Sequence, residues 1–258
     1  MNGKGFIKVF SYNIHKGFDL GNRAFVLPEI RDALTALQPD IVFLQEVLGK
    51  HDKHAERVNE WPSISQPDFI AQGVWPHVAY GKNAIYSHGH HGNAILSKYP
   101  IRSFENIDVS TNAFESRGIL HAVVDVPGSR LPVHCMCVHL NMLRKGRDMQ
   151  LKQLCKRVMR SVSLAEPLIV AGDFNDWQES ASKLLFDDIG LHEVFLHLQG
   201  QHAPTFPTKY PLLKLDRIYA RGFSALEGEV LSGSPWSMLS DHAPLYSKLV
   251  LPGQNSSE

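Results

Sequence analysis

Neither sign of charge prevails in this chain. Its 26 Lys and Arg residues balance 26 Asp and Glu. A strongly basic nucleic-acid-binding domain is therefore not indicated, although a neutral total can hide a local basic patch. Cysteine is scarce, with three in 258 residues. An odd and small number excludes a disulfide framework. Cys135 and Cys137 stand two apart in the apolar run "LPVHCMCVHL". On a strand they share one face, which fits buried thiols better than zinc ligands. No apolar stretch is long enough to span a bilayer, and "MNGKGFIKVFSYN" lacks the apolar core of a secretory leader. The expectation is a cytoplasmic monomer. Internal repeats and low-complexity linkers are also missing, so residues 1–258 are read as a single domain with a core over about 6–251 and a fraying tail, "PGQNSSE".

What the chain does have is short β-rich runs that end in polar residues. "FIKVFSYNI" (6–14) and "DIVFLQEV" (40–47) read as strands, the second apolar enough to be buried on both faces. Between them "LPEIRDALTALQ" (27–38) carries Leu27, Ile30, Leu34 and Leu37 at helical spacing, with Pro28 in its first turn. Residues 48–76 read as a long surface excursion with room for one short helix. Strands resume at 77–81, 92–99, 102–109, 118–126 and 132–140. A long helix is predicted over about 144–164, with Met149, Leu151, Leu154, Val158 and Val162 as its apolar stripe. A buried strand (166–176), a short helix closed by Gly190 (180–190) and strands at 212–220, 224–232 and 240–251 complete the chain. This pattern predicts an α/β fold in which mixed sheets pack face to face and helices cover their outer faces.

The strand ends collect residues unsuited to a core. They are Asn13 and His15, Glu46, Asp173 with Asn175 and Asp176, and Asp241 with His242. His139 in "CVHLN" and Asp216 in "LKLDRIY" join them. Singly, each has an ordinary explanation. Asp176 can cap the helix that follows, and Asp216 can pair with Arg217 at the surface. Together, so many carboxylates, imidazoles and amides need cations, hydrogen bonds or water, because burying an unpaired carboxylate costs several kcal/mol. Hard oxygen donors with little sulfur favour magnesium, manganese or calcium over zinc, and magnesium is typically held by only one or two carboxylates. Glu46 and Asp241 suit that role. An Asp beside a His can activate water, and a second His can stabilise an oxygen leaving group. The chemistry implied is metal-assisted hydrolysis of a phosphoester.

In order, "SYNIHKG", "LQEV", "GNAILSKYP", "VHL", "GDFND", "LDRIY" and "SDHAPL" resemble the endonuclease/exonuclease/phosphatase superfamily over about residues 6–251. The similarity is to a bacterial branch of a group that includes type I deoxyribonucleases, abasic-site endonucleases, neutral sphingomyelinases and inositol polyphosphate 5-phosphatases. The resemblance implies a four-layer α/β sandwich, two mixed β-sheets packed face to face and flanked by helices. It implies that Glu46 is the principal metal ligand, with Asn13 and Asp241 beside the metal and a Mg2+ or Mn2+ cofactor. By the same likeness Asp173 orients or deprotonates the attacking water, Asn175 binds the phosphate, and His242 contacts the phosphate or acts as base, its tautomer fixed by Asp216. His139 matches a histidine of the deoxyribonuclease and sphingomyelinase branches that polarises a phosphate oxygen or assists the leaving group. Arg117 in "FESRGIL" resembles a phosphate-contacting arginine, with a surface salt bridge as the alternative.

The substrate stays open at this level. It is a phosphodiester of nucleic acid, lipid or small molecule, with an inositol or sugar phosphomonoester, or non-catalytic binding on the same fold, as alternatives. The cluster Arg144, Lys145 and Arg147 can line the site mouth or simply open a solvated helix. The stretch "SHGHHGNAILSKY" (87–99) first suggests a zinc site, but no Cys or acidic partner completes a tetrahedron. It reads instead as a substrate-facing loop. Gly89 and Gly92 would allow a tight turn, and Asn93, then His91, are the candidates for substrate contact.

Overall fold

A computed structural model describes residues 5–251. The expected fraying of 252–258 lies outside the described residues. The chain runs β1 (Phe6–Asn13), α1 (Leu27–Leu37), β2 (Ile41–His51), α2 (Asp52–Arg57), α3 (Gln66–Ala71), β3 (His77–Tyr86) and β4 (Gly89–Ser97). It continues through β5 (Ile101–Asp108), β6 (Gly118–Val124), β7 (Val133–His139), α4 (Arg144–Ser161), β8 (Leu168–Asp173) and α5 (Ala181–Ile189). Last come β9 (His192–Glu193), α6 (Val194–Gln199), β10 (Asp216–Arg221), β11 (Ser224–Val230) and β12 (Leu245–Val250). Two six-stranded sheets result, ordered β11-β12-β1-β2-β4-β3 and β5-β6-β7-β8-β10-β9.

Each strand's alternation explains the layering. In β2, Ile41 and Phe43 face the second sheet, while Val42 and Leu44 face the opposite way, toward α1 and α3. In β7, Cys135 and Cys137 point into the space between the sheets, and Met136 and Val138 pack toward α4 and α5. Three apolar layers therefore separate four structural ones, as the four-layer sandwich requires. Burial on both faces is why these strands read as continuous apolar runs. Each fully buried aliphatic or aromatic side chain contributes about 1.5–3 kcal/mol.

Each sheet contains one parallel pair joined by a crossover helix. β1 pairs with β2 through α1, and β7 with β8 through α4. Both crossovers leave their strands' C-terminal ends at the same end of the sandwich. Polar residues at such ends are the ones that α/β folds turn to function.

Several boundaries differ from the sequence reading. Residues 48–76 are a surface excursion only in their middle, where α2 buries no residue. β2 runs on to His51, and α3 buries Ile70 and Ala71 beside Trp75 in the outer core of the first sheet. The long helix ends at Ser161, and Met149 lies exposed off its buried stripe. β10 starts only at Asp216, and β12 only at Leu245, so 212–215 and 240–244 are loops. The short pair β9 and α6 was not anticipated. Arg147 is fully buried, donating to the Asn141 and Met142 carbonyls and lying against the Trp177 ring, so it belongs to no solvated cluster. Arg217 is buried too. It donates to the carbonyls of Lys214, Asp216 and Asp176 instead of pairing with the Asp216 carboxylate at the surface.

Candidate active site

Five chain segments, four strands and one loop, bring side chains to a cleft or directly beneath it. Asn13 ends β1, Glu46 lies in β2, His139 ends β7 and Asp173 ends β8. His139 and Asp173 are register partners in the parallel pair. Asp173 also faces Asp216 in the antiparallel pairing of β8 with β10. The loop before β12 adds Asp241 and His242. The cleft encloses about 510 Å³, and its lining includes Lys16, Glu46, His91, Arg117, His139, Asp173, Asn175, Asp241 and His242.

Local backbone geometry aims these groups. Asn13 and His15 do not share an extended face. His15 has φ of 46°, and its N–H donates to Asn13 Oδ1 at 3.1 Å. Asn175, with φ of 50°, repeats the device, its N–H donating to Asp173 Oδ1 at 2.9 Å. Both are side-chain-closed turns of the kind Asn and Asp favour. Glu46 has φ of 55° where the β2–β4 register slips. A non-glycine residue there is strained, and a bulge re-aims its side chain. Gly172 of "GDFND" has φ of 145°, and a Cβ on it would stand 2.0 Å from the Val138 carbonyl oxygen. Only glycine lets β8 approach β7 closely enough to set Asp173 beside His139.

Hydrogen bonds link the carboxylates. The Asn13 amide donates to Glu46 Oε1 at 3.4 Å and to Asp173 Oδ2 at 3.3 Å. His139 Nε2 lies 3.5 Å and His242 Nε2 3.8 Å from that same Asp173 oxygen. His242 Nδ1 bonds Asp216 Oδ2 at 2.8 Å, and the ring rests against Phe206. Asp241 pairs with His15 Nδ1 at 2.8 Å. Ser240 clips the loop down by donating to the Asn13 carbonyl at 2.7 Å.

The titration of these groups follows from their surroundings. Burial raises the Asp173 carboxyl above the usual range, reinforced by Asp216 and opposed by His242. Burial works against a charged His242, but Asp216, Asp173 and Asp241 outweigh it and push the imidazole up to about 10. His139 moves the other way. Burial first, then Arg117, His242, His91 and Lys16, hold it well below its ordinary value and therefore neutral. Burial and Lys16 bring His91 down to about 4. Burial disfavours the Asp241 anion, yet the His15 hydrogen bond and nearby imidazoles win and lower it.

The predicted site residues are distributed unevenly. Glu46, His91, Arg117, His139, Asp173, Asn175, Asp241 and His242 line the cleft. Asn13 and Asp216 sit buried beneath, acting through Asp173 and His242. Asn93 is buried between the sheets, its amide donating to the Gly118 and Cys137 carbonyls, and it is not among the cleft-lining residues. The histidine stretch is a β-hairpin, not a loop. His90 and His91 both belong to β4, where His90 meets Tyr80 and His91 points to the cleft. Gly89 and Gly92 serve close strand approach, since a Cβ at Gly92 would lie 1.8 Å from the Gly81 carbonyl oxygen. Arg117 lines the cleft and also pairs with Glu115 at 3.1 Å. His15, noted only as a polar residue, buttresses Asp241. Lys16, which no expectation included, stands 3.4 Å from Glu46; the basic residue after "SYNIH" was the available signal.

The donor set fits a hard divalent cation. The Asn13 amide occupies Glu46 Oε1 while Glu46 remains part of the cleft wall, so carboxylate oxygens of Glu46 and Asp241 face a common space with an amide beside them. Among the described residues, Asp173, Asp216 and His242 are also close enough to hold an ion, with ligand atoms within 4.8 Å of one another. Two of those atoms are already joined in the Asp216–His242 hydrogen bond, and Glu46 and Asp241 likewise carry partners, Asn13 and Lys16 on the first and His15 on the second.

Two layered mixed sheets with a carboxylate–imidazole cleft at their parallel-strand ends define a phosphoesterase-type sandwich. The chain belongs to the Endonuclease/Exonuclease/phosphatase family, whose profile matches residues 10–242. It is 46% identical over 244 residues to the uncharacterized protein YbhP of Escherichia coli strain K12, covering 95% of this chain and 96% of that one. Among solved structures it resembles an endonuclease/exonuclease/phosphatase from Beutenbergia cavernae (TM-score 0.77, 21% identity, 96% of this chain and 72% of that one). It also resembles D. rerio TDP2 complexed with single strand DNA product (TM-score 0.68, 18% identity, 95% and 99% covered). At those identities the structural likeness speaks to fold alone.

Proposed function

We propose that this protein hydrolyses phosphodiesters with the help of a divalent cation, magnesium or manganese. The single observation that carries this is the gathering of Glu46, Asp241, Asp173, His139 and His242 in one cleft, with the two imidazoles 3.5 and 3.8 Å from the same Asp173 oxygen. A buried carboxyl raised by burial, Asp173, lies beside an imidazole held cationic by Asp216.

Glu46 and Asp241 would hold the cation, with Asn13 beside them. Bound there, it supplies Lewis-acid polarisation of the phosphoryl group and lowers the pKa of water. Asp173 orients the attacking water and takes its proton; as the new P–O bond forms the ester P–O bond breaks, and the departing oxygen takes up a proton from solvent. Its raised carboxyl stays ionised at mildly alkaline pH and is a stronger base than an exposed one. His242, kept protonated, donates from Nε2 to the phosphate, and Asp216 fixes Nδ1 as its partner. This charge state favours Asp173 over His242 as the base. Neutral His139 can donate one N–H to a phosphate oxygen without adding charge. Arg117 and Asn175 complete the contacts to the phosphate oxygens, and His91 touches the substrate beyond it. Asn93 contributes by joining β4 to the second sheet.

A diester is favoured over a monoester. Among the described residues, the side-chain cations lining the cleft besides His242 are Lys16 and Arg117, both already close to carboxylates, which is little for a dianionic phosphate. That TDP2 holds a DNA product is consistent with diester chemistry on this fold. The test is a panel with Mg2+ or Mn2+: bis(p-nitrophenyl) phosphate, p-nitrophenyl phosphate, single-stranded DNA and phospholipid vesicles. Diester turnover well above monoester turnover supports the reading, and monoester preference would refute it.

A further inference from the structure

The cleft floor is charged, but its rim is not. Phe114, Met142, Trp177 and Leu213 line the mouth and are exposed, Phe114 at 97%. Leu143 and Leu212, the chain neighbours of two of them, are 71% and 77% exposed. Isolated exposed apolar residues are ordinary. Six large ones collected from four separate loop segments around one polar opening are not, and such patches mark an interaction surface.

We infer that this rim docks on an anionic phospholipid membrane and that the cleft takes a phospholipid phosphodiester presented there. The inference rests on the phosphodiesterase reading for its substrate but not for its docking surface. Two observations choose the occupant. The first is charge: Arg144 and Lys145 directly follow Leu143 and are exposed, and exposed Lys209 lies on the segment that leads to Leu212. Apolar side chains flanked by basic ones match an anionic interface, where aliphatic groups enter the acyl boundary and cations meet headgroups. The second is the kind of apolar group. Four of the six, Met142, Leu143, Leu212 and Leu213, are aliphatic and offer no flat face for stacking bases, and the two aromatics, Phe114 and Trp177, suit a bilayer interface as well as a base. Continuity with the cleft supplies the function: docking at its mouth would bring a headgroup diester toward Asp173 while its acyl chains stay in the bilayer. No amphipathic helix is needed, because the loops themselves form the contact.

The test is flotation with vesicles of equal parts phosphatidylglycerol and phosphatidylcholine, run on wild type and on the double variant Leu143→Asp/Leu212→Asp. Both leucines lie outside the cleft lining, so hydrolysis of soluble bis(p-nitrophenyl) phosphate should be unchanged, which also reports correct folding. Wild type should float, and the same vesicles should inhibit its hydrolysis of the soluble diester. The double variant should lose vesicle binding by about tenfold or more and escape that inhibition. Wild type that fails to float, or a variant that floats equally well, overturns the docking surface. Loss of single-stranded oligonucleotide binding in the double variant, with no vesicle binding by wild type, would assign the rim to nucleic acid instead. Flotation without any soluble-diester hydrolysis would sink the phosphodiesterase reading and leave the membrane surface standing.

Discussion

His242 meets Asp216 through its Nδ1 at 2.8 Å, and both groups are buried. One imidazole nitrogen is thereby committed, and the other is left to face Asp173 across 3.8 Å. The carboxylate does two things at once: it fixes the ring's orientation and keeps it charged.

Asp216→Asn should therefore lower turnover of a diester by about 10²–10⁴-fold, the range lost when an acid–base group is misassigned. The variant keeps the shape but removes the largest charge that sustains the imidazolium. Its alkaline limb should move to lower pH, read from rate against pH. A uniform drop with an unmoved profile would mean that Asp216 serves packing only.

Asp173→Asn should stabilise the protein while abolishing activity. The carboxyl's folded pKa is raised, so its favourable contribution is present only below the unfolded value and is lost as pH rises through the folded one. At neutral pH the buried anion is a cost. The amide can still accept from Asn175 N–H. Thermal melts at pH 7.5 should show a higher melting temperature for the variant than for wild type, and a lower one would contradict the assignment.

Far from the cleft, His121 and His134 share a hydrogen bond of 2.8 Å, and Arg157 donates to His121 Nδ1. Burial, then His134 and Arg157, bring His121 down to about 3. A depressed histidine stabilises the fold above its unfolded pKa of about 6.5, and that stability drains away as pH falls toward 3. At pH 5 the loss from this residue is about 2 kcal/mol. His121→Asn should flatten the difference in denaturation midpoint between pH 7.5 and pH 5. An unchanged difference would remove His121 from the account.

Gly92→Ala should destabilise the protein by about 3 kcal/mol, because the new methyl would enter the β3 backbone at Gly81. Urea denaturation measures it. A loss below about 0.5 kcal/mol would show that β3 can yield.

Strand positions were legible because alternation and strand-end polarity survive in one dimension. Val9, Phe43 and Ile169 announced their strands, and Glu46, Asp173 and Asp241 stood out as charges after apolar runs. Their gathering was legible only through the ordered motifs. What stayed hidden depends on three-dimensional closure. Arg147 and Arg217 look like surface charges, yet carbonyl groups around each make burial tolerable. Asn93 looked like a substrate contact because a polar residue on a strand has two explanations, and here the second sheet supplies its partners. His15 and Lys16 reach Asp241 and Glu46 only because the chain takes positive φ at both residues, which a β-rich run does not announce. The 48–76 segment hid α3 because its short apolar pattern is broken by prolines and charges.

The most direct test is diester hydrolysis titrated with Mg2+ and Mn2+ for wild type, Glu46→Gln and His242→Asn, with metal binding followed by calorimetry. Wild type should require the cation. Glu46→Gln should weaken its binding by about 10–100-fold, and His242→Asn should bind it normally but turn over at least about 10²-fold more slowly. Hydrolysis that proceeds undiminished in chelator, or that survives both substitutions, would contradict the account.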